Sequence, residues 1–101
     1  MATIGSYAIK RDLIIKSDSD NSYWLRNKNG DWDSEISIFL VINVVSGSDR
    51  RFDAIIDGDT AKFTIDKDDT SSLLRSKPVD YSIFYNDGSI DKWFFGGVKI
   101  G

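Results

Sequence analysis

The sequence predicts an all-β fold, an antiparallel sandwich of two sheets with about seven strands and one short helical turn. Three observations indicate this fold. Fifteen of the 16 acidic residues are Asp and only one, Glu35, is Glu, and Asp favours turns where Glu favours helices. Apolar residues alternate with polar ones in several segments, and Gly-containing turn signals separate those segments. The 101 residues are enough for one domain, predicted over residues 1–101.

The first half of the chain supplies a first strand and a central strand. The first, YAIKRDLIIK, is interrupted near Arg11 and Asp12. The second, ISIFLVINVV from Ile36 to Val45, is apolar on both faces, which favours a strand covered on two sides or one that passes between sheets. A weaker turn signal, Asn29-Gly30, lies between them.

The segment FDAIIDGDTAKFTI predicts a β-hairpin. Asp57-Gly58 is typical of a two-residue type I′ turn. With that turn Ile56 faces Asp59, Ala54 faces Ala61 and Phe52 faces Phe63.

VDYSIFYNDGSIDKWFF predicts a second hairpin that turns at Asp87-Gly88. In this register Asn86 faces Ser89 and Tyr85 faces Ile90. Tyr81 then faces Phe94, and on the reverse side Ser82 faces Trp93.

KDDTSSLLRSKP predicts the one helical turn. Asp68, Asp69 or Thr70 is its expected cap, Leu73 and Leu74 are its apolar residues, and Pro78 ends it.

Tyr81 has two interpretations. It follows the helical turn at the start of a strand, where immunoglobulin-like sandwiches carry a corner tyrosine. The alternative is an ordinary aromatic at the edge of the core. The Cys and Trp pattern of antibody domains is missing.

Composition argues against several classes of function. The chain has no Cys and no His, so disulfides, thiol nucleophiles and imidazole bases or ligands are excluded. A net charge of −3 is the wrong sign for binding nucleic acid through phosphates. The longest apolar run is far shorter than the about 20 residues that span a bilayer, and no signal peptide is recognisable. We therefore expect a soluble protein that binds neither nucleic acid nor membrane.

The acidic stretch from Phe52 to Asp69 raises the question of a cation site. Neither DSDNSY nor NKNGDWDSE places Gly and carboxylates at the spacing of an EF-hand loop. A calcium site shared between loops stays open as an alternative, but solvated turn charge is favoured. A glycosidase would need two carboxylates held across a deep cleft, which a domain of this size does not offer. The sequence thus predicts no enzyme, with no catalytic residue, no metal ligand and no cofactor.

The aromatic residues predict a protein–protein contact. Trp and Tyr are enriched where interfaces gain most of their affinity, although core packing is the alternative for each Trp. In the predicted register Trp93 and Phe95 share one face and Phe94 the other, so one face looks away from the core. The adjacent Gly96-Gly97 could permit a bulge or the close approach of another backbone. The predicted interface residues are Trp93, Phe94, Phe95 and Trp24.

The order of these motifs resembles small β-sandwich structural proteins of tailed bacteriophages, in particular the tail-fibre collar protein family of siphophages. The hairpin FDAIIDGDTAKFTI, the strand YSIFY and the closing GVKI carry the resemblance, which covers about residues 20–101. It implies an immunoglobulin-like subunit of the virion, made in the host cytoplasm. It further implies partners that are other virion proteins and copies of itself, assembled as a ring or adaptor in the tail.

Two alternatives to the tail assignment remain at this stage. One is a capsid-decorating or baseplate module with the same sandwich. The other belongs to a different class, a carbohydrate- or receptor-binding module in which exposed Trp rings stack on sugars.

Overall fold

The computed structural model describes residues 9–33 and 35–101, and these form nine strands and one helix in two layers. Helix α1 (Lys67–Arg75) lies between the seventh and eighth strands. The strands are β1 (Ile9–Lys10), β2 (Leu13–Ile15), β3 (Asn21–Arg26), β4 (Ser37–Val44), β5 (Arg50–Asp53), β6 (Ile55–Asp57), β7 (Thr60–Ile65), β8 (Pro78–Asn86) and β9 (Ile90–Ile100). The predicted all-β sandwich of two sheets is confirmed. The part of the predicted first strand that precedes Ile9 lies outside the described residues.

The two sheets differ in size. The large sheet has the order β1-β9-β8-β4-β5, with β2 also on β9, and the small sheet has the order β3-β7-β6. The small sheet β3-β7-β6 corresponds to strands B, E and D of an immunoglobulin-like sandwich, and β9-β8-β4 corresponds to its strands G, F and C. β1 and β2 lie beside β9, not beside β3. β1 and β2 run parallel to β9, whereas the other pairs are antiparallel. The sequence predicted antiparallel sheets, whereas the large sheet is mixed because it contains these two parallel pairs.

The core lies between the inner faces of the sheets. It contains residues from strands β2, β4, β7, β8 and β9 and from α1. Ile38, Leu40 and Ile42 of β4 are buried on the same face as Ile83 of β8. Burial of these side chains contributes the main favourable term to folding, at about 1.5–3 kcal/mol for each large aliphatic residue.

The first predicted hairpin is wrong in register, because the chain changes sheets in its middle. Phe52 pairs with Leu40 in the large sheet, and the Ala54 N–H donates to the Ile38 carbonyl oxygen at 2.8 Å. Only β6 then pairs with β7, where Ile56 faces Ala61.

The turn of this hairpin is Gly58-Asp59, since Asp57 pairs with Thr60. Gly58 has φ +60°, and Asp59 is not among the described residues with positive φ. A positive φ at the first central position alone is typical of a type II′ turn, not of the predicted type I′.

Replacing Gly58 should destabilise the domain because a β-branched side chain is strained at positive φ. We expect Gly58→Val to lower the free energy of unfolding by about 1 kcal/mol or more, measured by urea denaturation. Asp57→Ala is the control, because it changes the residue that precedes the turn, where φ is not positive. Equal stability of Gly58→Val and the wild type would contradict the turn assignment.

The second predicted hairpin forms, but its register also differs. Asn86 pairs with Ile90, so the loop has three residues, and Gly88 in it has φ +110°. The register shifts again between Ile83 and Phe84, which pair with Phe94 and Lys92, so Trp93 is an extra residue in β9. Such a β-bulge changes the side-chain alternation of the strand, and its consequence is described with the candidate site.

Helix α1 is longer than the predicted single turn and has a different cap. Asp66 is the N-cap, and its side chain accepts a hydrogen bond from the Asp69 N–H at 2.7 Å. The predicted caps Asp68 and Asp69 lie instead in the first turn, where their charge stabilises the N-terminal end of the helix dipole. Buried Thr70 accepts a hydrogen bond from the Asn21 side-chain amide at 3.2 Å, which ties the helix to β3.

Tyr81 is a core residue at the start of β8, paired with Ile42 and Gly96. Across the described residues, its hydroxyl makes no hydrogen bond to the backbone upstream, which is the contact that defines a tyrosine corner. Of the two interpretations, the structure favours the core-edge aromatic. Burial, followed by the nearby Asp12 carboxylate, raises the pKa of Tyr81.

Candidate functional site

Five Asp residues of the turns and loops lie at one end of the sandwich. The β3–β4 loop meets the β6–β7 turn there, where the backbone N–H of Trp32 donates to the Gly58 carbonyl oxygen at 2.9 Å. The same loop reaches the end of β8, where the ring centroids of Trp32 and Tyr85 are 6.2 Å apart. We call this end the acidic pole; it contains Asp31, Asp33, Asp57, Asp59 and Asp87. Within residues 9–33 and 35–101, no three acidic side chains are grouped so that they could hold a metal ion.

Several of these carboxylates already have a partner. The Arg26 guanidinium donates to the Asp59 carboxylate at 2.9 Å, and this bond, with one from Thr60, lowers the pKa of Asp59. Asp87 accepts a hydrogen bond from the Ser89 N–H in its own turn. These groups therefore serve local turn structure.

We predict that calcium does not stabilise the protein. The melting temperature should be the same in EDTA and in millimolar Ca²⁺, because the described residues hold no cluster of three carboxylates that could bind the ion. If such a site existed and bound only the native state, a hundredfold excess of Ca²⁺ over Kd would add about 2.7 kcal/mol to the free energy of unfolding. Differential scanning fluorimetry would detect that. A clear rise with Ca²⁺, and its loss in Asp57→Asn, would revive the loop-shared site.

Trp93, the centre of the predicted interface, belongs to the core. Its side chain is only 8 % exposed. It stacks between Tyr85, with ring centroids 4.3 Å apart, and Trp32, at 5.4 Å. Because of the bulge, Phe94 also points inwards and packs against the core cluster. The prediction that Trp93 and Phe94 lie on opposite faces is thus wrong: both lie on the inner face, where Trp93 is buried and Phe94 is partly buried.

The closing strand β9 is covered within the chain. β1 and β2 pair with the side of β9 that β8 leaves unpaired. Gly96 permits the close approach that the sequence suggested, but to the chain's own backbone: an added Cβ would lie 1.9 Å from the Arg11 carbonyl oxygen. β9 is therefore not a sheet edge, and its protection does not require another subunit.

Phe95 lies on the outer face of the large sheet, opposite Ser82. It borders a shallow cavity of about 280 Å³ that Lys10, Lys92 and Gly97 also line. Next to it, Phe39 and Phe84 stack with centroids 5.3 Å apart, and the Arg51 guanidinium lies 3.9 Å from the Phe39 ring centre. The sequence patterns did not predict this aromatic pair, although the alternate positions of SIFLVINV place Phe39 on the face opposite to Ile38 and Leu40.

Trp24 lies on the outer face of the small sheet and is 60 % exposed. It forms a row across three strands with Lys62 and Ile55, and Ile55 is 72 % exposed. The Lys62 ammonium lies 5.5 Å from the Trp24 ring centre, within reach of a cation–π contact. Of the four predicted interface residues, Trp24 is the one whose side chain is mostly accessible.

Tyr23 closes one side of the sandwich between β3 and β2. Its hydroxyl donates to the Ile14 carbonyl oxygen at 2.8 Å. Burial raises the pKa of Tyr23 to about 12, because the charged phenolate is disfavoured in this position.

This pKa predicts a loss of stability in strong alkali. The fold favours the neutral phenol, so the stabilisation is complete below the ordinary pKa of about 10 and is lost as the pH rises towards 12. We expect Tyr23→Phe to lower the free energy of unfolding by about 1 kcal/mol at pH 8, because the hydrogen bond is lost. Between pH 10 and 12 the free energy of unfolding of this variant should fall less steeply than that of the wild type. Urea denaturation at both pH values checks this; parallel curves for the variant and wild type would contradict the assignment.

Within the described residues, no helix is long and apolar enough to cross a membrane.

Comparison with known proteins gives one family. Residues 8–101 match the LtfC-like, β-sandwich domain, whereas no curated protein matches. The matched range covers both sheets and the helix described above, and the family is a phage β-sandwich family. The chain therefore belongs to the LtfC-like β-sandwich domain family.

Proposed function

We propose that the protein is a non-enzymatic structural component of a bacteriophage tail, where it acts as a collar or tail-fibre attachment subunit. The observation that carries this proposal is the family match over residues 8–101, which joins the chain to a tail-fibre-related phage domain. A role in assembly needs a rigid scaffold with accessible side chains rather than reactive groups.

The chemistry of the chain supports a binding role. The sequence contains no His and no Cys, and the carboxylates of Asp59, Asp66 and Asp87 take part in turns, caps or ion pairs. The exposed apolar side chains Trp24 and Ile55 are instead the kind of group that protein contacts bury. Its partners on this proposal are other virion proteins and further copies of the chain.

Localisation in purified phage particles tests the proposal. An affinity tag at Gly101, which is exposed, should be found by immunogold electron microscopy near the tail, and deletion of the gene should give particles with missing or loose fibres. Signal on the capsid or baseplate would replace the collar role by the decoration or baseplate alternative. Absence of the protein from particles would overturn the structural role altogether.

A second candidate, a carbohydrate-binding module, is supported by the exposure of Trp24 on a sheet face. Aromatic rings accessible in this way can stack on sugar rings. Binding on a glycan array that is lost in Trp24→Ala, but kept in Ile55→Ala, would favour this candidate. We expect no hit, because the ring of Trp24 is isolated from the other two Trp residues in the core.

A further inference from the structure

The small sheet has one edge that lacks the usual protection against strand pairing. Natural sheets protect edges with short strands, interruptions, bulges or charges. β6 has 3 residues, β5 has 4 and is rich in charge, and β1 and β2 are interrupted between Lys10 and Leu13. β3 has 6 residues in regular register with β7 and carries a single charge, Arg26. Among the described edges, β3 is therefore the one suited to accept another strand.

The backbone of β3 presents alternate groups to this edge. Asn27 donates its N–H to the Asp59 carbonyl oxygen at 2.8 Å, and hydrogen-bonded pairs alternate along an antiparallel ladder. Tyr23 and Leu25 consequently bond to β7. The N–H and carbonyl groups of Ser22, Trp24 and Arg26 point away from β7, and no described strand pairs with that side of β3.

The side chains of the same three residues lie on the outer face of the sheet. Trp24 is central among them and 60 % exposed. A strand added at this edge would therefore gain backbone hydrogen bonds and an aromatic contact together.

We propose that β3 pairs antiparallel with β3 of a second copy of the chain, so that Trp24 lies opposite Trp24 of the partner subunit. The two small sheets then form one continuous sheet across a two-fold axis. This inference rests on the proposed assembly role and specifies one contact of it, an isologous one that closes at two chains.

The register follows from which groups can pair. With Trp24 on the axis, Ser22 lies opposite Arg26 of the partner subunit, and each of the outward-pointing residues forms a hydrogen-bonded pair. A shift by one residue would mix the inner and outer faces. A shift by two residues that sets Trp24 opposite Ser22 of the partner subunit would leave Arg26 opposite a residue outside the partner strand. The backbone hydrogen bonds of Arg26 across the interface would then be lost.

Charge favours the same arrangement with a second copy. Arg26 opposes an uncharged Ser, so no like charges face each other. Arg26 also lies at the end of β3 next to Asp59 and the acidic pole. Antiparallel pairing directs the two acidic poles to opposite ends of the dimer, whereas parallel pairing would bring them together against their mutual repulsion.

A single cysteine tests the geometry directly, since the chain has none of its own. Residues in a hydrogen-bonded pair have Cα atoms about 5.5 Å apart, within the range of a disulfide. Under mild oxidation, full-length Trp24→Cys should form a covalent dimer at least about tenfold faster than Ile55→Cys, a control on the same face but on the opposite edge. Equal rates for the two variants would overturn the proposal.

Charge placed at Ser22 tests the register without cysteine. In Ser22→Glu the new carboxylate would lie opposite Arg26 of the partner subunit and strengthen the dimer. In Ser22→Lys two positive charges would face each other at the same place and weaken the dimer. Each pair occurs twice, so the two dissociation constants should differ by about tenfold in sedimentation equilibrium, with Ile55→Ala close to the wild type.

A chain that stays monomeric at every concentration, or equal dissociation constants for the two Ser22 variants, would overturn the proposed contact. Localisation of the protein in phage tails would be unaffected by either result. Conversely, a β3-paired dimer that is absent from phage particles would leave the contact standing and refute the tail role.

Discussion

Gly96→Ala is expected to detach β1 and β2 from the large sheet and to lower the free energy of unfolding by about 3 kcal/mol, the upper end of the usual cost of overpacking. The added Cβ would lie 1.9 Å from the Arg11 carbonyl oxygen and 2.6 Å from its carbonyl carbon. Both atoms belong to the backbone, so no side-chain rotation can relieve the clash. The Arg11 N–H also donates to the Phe95 carbonyl oxygen at 2.8 Å, a bond that the displaced segment would lose.

The neighbouring glycine provides a matched control. A Cβ at Gly97 would meet its nearest atom, an Asp12 carboxylate oxygen, at 3.6 Å, an ordinary contact. Gly97→Ala should therefore unfold within about 0.5 kcal/mol of the wild type. Denaturant unfolding followed by circular dichroism gives the free energies, and amide hydrogen exchange at Leu13 and Ile15 reports the detachment. If the two variants are equally stable, β1 and β2 do not pack on β9 as described.

The class of fold and several of its elements are predictable from local sequence patterns for physical reasons. Alternation in AKFTI located β7, because one face of that strand packs in the core and the other is solvated. Gly58 and Gly88 both have positive φ, as their turn dipeptides predicted. The single proline begins β8 just after the helix.

The change of sheet at Ala54 could not be predicted from alternation. The inner faces of both sheets look towards the same core, so Phe52, Ala54 and Ile56 alternate alike whether the strand continues or crosses over. Only the partner of Phe52, which is Leu40, distinguishes the two cases. That pairing is long-range and leaves no local signal.

Of the predicted interface residues, Trp24 is mostly exposed, whereas Trp93 is buried because a bulge in β9 changes the alternation of faces. Counting by twos from the Asp87-Gly88 turn gives the wrong face after a bulge, and no residue type in DKWFF marks one. Trp24 was named because it is an aromatic beside polar residues, a pattern that Trp32 and Trp93 share. The three Trp residues differ in solvent exposure, which the sequence pattern does not show. Trp24 lies exposed on the outer face of a sheet, whereas Trp93 is buried under the loop that carries Trp32.

Trp93→Ala is expected to lower the free energy of unfolding by about 3–5 kcal/mol, the usual cost of truncating a large buried aromatic. Trp93 lies between Tyr85 and Trp32 in a continuous stack, so its removal leaves a cavity with aromatic walls on both sides. The Trp32 ring would lose its stacking contact with Trp93. The hydrogen bond from the Trp32 backbone N–H to the Gly58 carbonyl oxygen would still hold the loop. A domain of this size has about 5–15 kcal/mol of stability in total, and a large share of it would be lost.

Trp24→Ala is the control that separates core from surface. Both variants remove an indole, but Trp24 is 60 % exposed and Trp93 is 8 % exposed, so Trp24→Ala should stay within about 0.5 kcal/mol of the wild type. Far-UV circular dichroism in urea compares the two without relying on Trp fluorescence. If Trp93→Ala were as stable as the wild type and lost only its association with other chains, Trp93 would be an interface residue after all and the bulge in β9 would be misplaced. If it unfolds as expected while Trp24→Ala folds normally and associates more weakly, stability comes from the stack around Trp93 and assembly from the edge of β3.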